Sequence, residues 1–155
     1  MDRLIFGIAF TDIRRRGNEE GLRGRWIALL NPRDQFHRRA RSMAESFGPL
    51  VICTSEPVLS ETLSFYSRRG PFLRAAAAEM VLALYSEPNA FVVPQSSAQF
   101  QSGLRLYRER TDKFWSRTDC VSFQIMNDEG MTEALTHDAH LEQAGFVALL
   151  RSRAT

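Results

Sequence analysis

The chain has 155 residues, 44% of them hydrophobic and 25% charged, with a formal net charge of +2. That length suits one domain with a real core, and the composition excludes a disordered or membrane-spanning chain. A charge this near balance carries no global field that demands a nucleic-acid partner.

The kind of positive charge is more telling. Lys113 is the only lysine, so 19 of the 20 basic side chains are arginine. Arginine's planar fork pairs with phosphate at two points, although a solvated surface accounts for most of these residues. Cys53 and Cys120 are isolated and lack metal-ligand spacing, which suits reduced thiols in a cytoplasm. The apolar run Leu4 to Phe10 has neither the basic lead nor the cleavage site of a signal peptide, so a cytoplasmic location is expected.

In chain order, Leu4 to Phe10 has strand length and is bounded by Thr11-Asp12, as a buried parallel strand would be. Residues 13–25 are rich in Arg, Gly and Glu and read as an exposed loop. Pro32 breaks a first short helix begun near Trp26, and Asp34 is placed to cap a second running to about Phe47. Phe36, Ala40, Met43, Ala44 and Phe47 recur there at helical spacing, so they are expected in the core. Leu50 to Cys53 reads as a strand. Thr54-Ser55 then opens a helix with Pro57 in its first turn, and this helix carries Glu61.

Arg68 to Pro71 makes a turn. Phe72 to Tyr85 forms an amphipathic helix in which Ala75 to Ala78 are small enough for close packing. Phe91 to Pro94 is a short strand, and Ser96-Ser97 caps a helix to about Arg110. Arg105, Arg108 and Arg110 on it are candidates for phosphate contact or for a solvated face. Phe146 to Leu150 is the last strand. Strands alternating with helices predict an α/β fold, a three-layer α/β/α sandwich around a central parallel sheet.

The stretch 111–146 concentrates the chemistry. Asp119 falls in the first turn of a predicted helix after Ser116, and Asp138 falls just past the strand-like run Ala134 to Thr136. Ligands of open α/β sheets gather at the carboxyl ends of strands, where two acids suit a hard cation such as Mg²⁺. Each acid also has a structural reading. Ser116-Arg117-Thr118-Asp119 fits a capping box, and Asp138 fits a turn residue bonded to its own backbone. His137 and His140 flank Asp138 at a spacing unlike H-E-x-x-H, and His37 is remote. Surface histidines and no zinc site are expected.

The run Asp112-Lys113-Phe114-Trp115-Ser116-Arg117-Thr118-Asp119-Cys120-Val121-Ser122-Phe123, followed by Ala134-Leu135-Thr136-His137-Asp138-Ala139-His140 and Gln143-Ala144-Gly145-Phe146, resembles the PIN domain family. The likeness is closest to the toxin ribonucleases of VapBC-type toxin–antitoxin modules, and it runs from Trp26 onward. It implies a PIN-like domain over 26–150 behind a divergent segment over 1–25. It also implies an endoribonuclease in which Glu61, Asp119 and Asp138 hold Mg²⁺ or Mn²⁺, with Ser116 or Thr118 steadying the acids. Water activated by the metal would attack the RNA phosphodiester in line. The implied partners are an RNA substrate, a small antitoxin lying over the acidic site, and a second copy in a homodimer.

One departure stands out. Members of that family end their first strand in an aspartate, and counting back from Trp26 puts that place at Leu22, beside Arg23 and Arg25. Losing one carboxylate weakens a cation site, and nearby arginines oppose it. Three readings stay open: Asp12 replaces the acid, with 13–25 as an inserted loop; the fold is degenerate and binds antitoxin or RNA without cutting; or the front of the chain is not the ancestral one.

Overall fold

The computed structural model describes residues 3–6, 50–88, 90–136, 138–149 and 151. The two helices expected between Trp26 and Phe47, together with Asp12, Leu22, His37 and His137, lie outside the described residues. Strands β1 (Arg3–Phe6), β2 (Leu50–Ser55), β3 (Ala90–Val93), β4 (Glu133–Ala134) and β5 (Val147–Ala148) form a five-stranded sheet in the order β3-β2-β1-β4-β5. Every pairing is parallel, and Phe6 at the centre registers with Cys53 on one side and Ala134 on the other. The first apolar run therefore supplies the middle strand.

Side chains alternate across a sheet, and the core divides accordingly. Ala90 and Val92 of β3 pack with Val58, Leu59 and Tyr66 of α1 (Glu56–Tyr66) and with Ala77, Met80 and Leu84 of α2 (Pro71–Ser86). Val93 and Cys53 point the other way, into a cluster with Trp115, Phe146 and the Val121, Phe123, Ile125 and Met126 side chains of α4 (Arg117–Asp128). Helices thus cover both faces, giving the three layers. Among the described residues no helix is long and apolar enough to cross a membrane.

The helix starts follow local chemistry. Ser55 leaves β2 in an extended conformation and Pro57 sits in the first turn of α1, where a missing N–H costs nothing. Gly70, at φ 88, provides a left-handed backbone that a side chain would strain, and Pro71 follows it into α2. Ser96 and Gln99 make a reciprocal capping box at the start of α3 (Ser97–Glu109). The small-residue stretch of α2 packs less than expected: Ala77 is buried, while Ala75, Ala76 and Ala78 face solvent. A run of alanines cannot reveal which face of a helix turns inward, because it has no periodicity of its own.

Close packing occurs instead between α3 and α4. A methyl group added at Gly103 would collide with the Val121 side chain and lie 3.1 Å from the Val121 backbone nitrogen. Because backbone is involved, no rotamer change relieves the contact. Gly103→Ala should therefore destabilise the fold by about 1 kcal/mol, overpacking outweighing alanine's better helix propensity. Urea titration of the two proteins measures the difference.

Both thiols are buried. Burial, then the charge of Glu129, pushes the Cys53 thiol up from 9.0 to about 12, and burial, then Asp119, pushes Cys120 from 9.0 to about 11. The folded protein should accordingly react with thiol reagents far more slowly than the unfolded chain. Both folded values lie above the unfolded one, so this contribution to stability is complete below pH 9.0 and is lost as pH rises toward 11 and 12. Native-state thiol titration and alkaline denaturation check the two statements.

Candidate metal centre

Asp119 is held by the start of α4. Ser116 caps the helix in an extended conformation. Its hydroxyl accepts the Asp119 N–H at 3.0 Å, while Asp119 Oδ2 accepts the Ser116 N–H at 2.7 Å. The capping box read from the sequence is therefore present, yet it uses only one carboxylate oxygen. Asp119 is 1% exposed, and its Oδ1 is buried without a hydrogen-bond partner. Such an atom costs about 1–3 kcal/mol where nothing offsets it, so the helix cap does not account for the carboxylate. Ser55 Oγ and Ser122 Oγ share this state among the described residues.

Asp138 is positioned by the turn leaving β4. The buried Thr136 hydroxyl accepts the Asp138 N–H at 3.0 Å. Asp138 then caps the short helix α5 (Ala139–Gln143), its Oδ1 accepting the His140 N–H at 2.8 Å. Here too the structural reading and a ligand role coexist on one side chain. The turn stands just past the carboxyl end of β4, beside central β1, where the strand order reverses. That reversal is the usual ligand crevice of open parallel sheets.

These two starts bring together what the sequence keeps apart. Asp119, Asp138 and His140 each offer a ligand atom, all within 4.8 Å of one another. His140 Nδ1 lies 3.2 Å from Asp119 Oδ2 and 3.7 Å from Asp138 Oδ1. The expectation of a surface histidine is corrected for His140, whose side chain is only 13% exposed. Its place follows from Asp138 acting as the helix cap, since the second helical residue then turns back over the capping carboxylate. The signal was its spacing of two from Asp138, which no zinc motif registers.

Glu61 lies half-buried on α1 and is not part of this group. Thr118 is buried on α4 next to Asp119, and Ser116 spends its hydroxyl on the helix cap. Of the arginines considered for phosphate, Arg110 is forked onto Asp112 at 2.7 and 2.8 Å and lies 4.8 Å from the centre of the Trp115 ring. That hydrogen-bonded pair holds the Asp112 carboxyl down at about 2.

The donor set fits a divalent cation. One or two carboxylates are what Mg²⁺ usually takes from protein, carboxylate oxygens suit Mn²⁺ equally, an imidazole adds a nitrogen donor for transition metals, and the partnerless Oδ1 supplies a lone pair. Fold and site together define a parallel α/β protein with a candidate metal centre at its switch point.

Comparison with known proteins narrows the class. No family model matches the chain. It is 31% identical over 122 residues to the 23S rRNA-specific endonuclease VapC20 of Mycobacterium tuberculosis, in the CDC 1551 and H37Rv strains alike, covering 79% of this chain and 90% of the relative. The crystal structure of M. tuberculosis VapC20, described as a Sarcin-Ricin loop cleaving toxin, superposes with a TM-score of 0.70 at 24% identity, over 94% of this chain and 98% of that one. The chain belongs to the PIN-domain family of VapC-type toxin ribonucleases.

The cap at Ser116 is open to a direct test. Ser116→Ala leaves the Asp119 N–H without its side-chain partner and should cost about 1 kcal/mol of stability. The thermal midpoint of the variant against the parent protein measures it.

Proposed function

We propose that this chain is a divalent-metal-dependent endoribonuclease of the toxin type, in which Asp119 and Asp138 are the central metal-holding acids. The observation that carries this reading is the buried, partnerless Oδ1 of Asp119 beside Asp138 and His140. When bound, Mg²⁺ or Mn²⁺ supplies Lewis acidity, neutralising charge on the phosphate and lowering the pKa of a water. Asp119 and Asp138 hold and orient the ion, and their helix starts keep both carboxylates in place without reorganisation. Ser116 fixes the Asp119 rotamer through the cap, and Thr118 is its buried neighbour on α4. Glu61 adds a further carboxylate from α1.

The acid that the family carries at the end of its first strand is assigned to Asp12. It is the first carboxylate in the chain after β1, which supports it over the position counted back from Trp26. Residues 13–25 are then an insertion ahead of the PIN-like segment. The substrate is RNA. The 23S ribosomal RNA cut by the M. tuberculosis relative is the first candidate to try. The regulating partner is a small antitoxin protein that covers the acids, and the enzyme acts in the cytoplasm.

Purified protein with Mn²⁺ should cut 23S rRNA, and Asp119→Asn or Asp138→Asn should lower the rate by at least about a hundredfold. Glu61→Gln and Asp12→Asn should each cause a smaller loss. Electrophoresis of rRNA fragments reads the result. Cutting that persists in both EDTA and Asp119→Asn protein would rule the mechanism out.

A further inference from the structure

At the helix end that carries Asp119 lies a second feature that metal binding does not use. Gln95, Ser96, Ser97, Phe100 and Gln101, at the start of α3, line an open cleft of about 240 Å³. This is below the ~300–1,000 Å³ of pockets that take whole drug-sized ligands, and is on the scale of one planar ring system. The Arg117 guanidinium lies 4.9 Å from the centre of the Phe100 ring and donates to Gln95 Oε1 at 3.4 Å. The Gln95 backbone N–H is itself tied to Glu56 Oε2 at 2.8 Å, so the first residue of α1 fixes the loop.

Helix electrostatics do not favour arginine at this position. Arg117 is the first residue of α4, where the partial positive charge of the helix start disfavours a cation. Phe100 is 38% exposed although it sits beside a packed helix pair. Arginine stacked on an aromatic ring is, however, a platform for an unpaired base, and the remaining guanidinium donors suit phosphate. The Gln95 and Gln101 amides offer both donors and acceptors, as the edge of a base requires. Arg117 and Asp119 both stand in the first turn of α4, so the cleft and the acid share one end of that helix, on different flanks of it.

We infer that the Phe100–Arg117 cleft is a nucleotide subsite: it seats one unstacked base of single-stranded or looped RNA adjoining the phosphate to be cut, with Arg117 on the neighbouring phosphate. The inference rests on the ribonuclease reading and adds to it the residues that choose where the strand is placed. Phe100 and Arg117 are positioning residues for the substrate and take no part in the metal centre.

Fluorescence anisotropy of short labelled oligo(A) and oligo(U) strands, with full-length protein in EDTA, tests the subsite without metal or turnover. Phe100→Ala should weaken binding about tenfold, while Phe100→Trp should retain it. Arg117→Ala should weaken binding and reduce the salt dependence by about one phosphate contact. In cleavage assays Phe100→Ala should raise KM by a similar factor with a smaller change in kcat. Mn²⁺ affinity and thermal midpoint should match the parent protein. Unchanged RNA binding by Phe100→Ala overturns the inference, as does an altered oligomeric state or antitoxin capture with RNA binding intact. If the parent protein never cuts RNA but its binding follows the Phe100 series, the nuclease reading fails and the subsite stands.

Discussion

The Asp119 carboxylate, divided between a helix start and the protein interior, is the constraint on which the site depends. One oxygen closes the capping box with Ser116 and the other faces inward with nothing to pair with. The same economy recurs at Asp138, where the oxygen that caps α5 is also within reach of His140. Helix initiation is thus used to immobilise acids. A side chain locked by backbone N–H groups cannot swing away to find water, so negative oxygens stay near one another at a cost the surrounding core sustains.

How these acids meet is decided by the sheet. β1 takes the centre, with β2 and β3 added on one side and β4 and β5 on the other. The connections leave in opposite directions from that point, which opens the crevice that the Asp138 turn borders. Packing on the far side serves the same end. With no side chain at Gly103, α3 sits directly against α4, and α4 carries Asp119.

Much of this was legible in the sequence, because it rests on local or periodic signals. The strand–helix alternation, the caps at Ser96 and Ser116, the helix start marked by Pro57 and the two acids at element boundaries could all be read from residues close in the chain. What could not be read depends on approach across the fold. His140 looked like a surface residue because its burial arises only where α5 meets α4, 21 positions back from His140. Arg110 looked available to phosphate because its clasp on Asp112 is set by a turn geometry with no fixed sequence mark. The PIN-type resemblance pointed to the acids as ligands and the local pattern read them as a cap and a turn, whereas the geometry lets one carboxylate be both.

The shared corner of α4 and α5 also bears on folding equilibria. Its donors come from two helix starts that meet only in the native chain, so an ion that binds them has no comparable site in the denatured ensemble. Such selective binding adds RT ln(1 + [L]/Kd) to the native state, about 2.7 kcal/mol when the ion stands at a hundredfold its dissociation constant. Against a total on the order of 5–15 kcal/mol for a domain, the ion's concentration would set how long the molecule lasts as well as how fast it works.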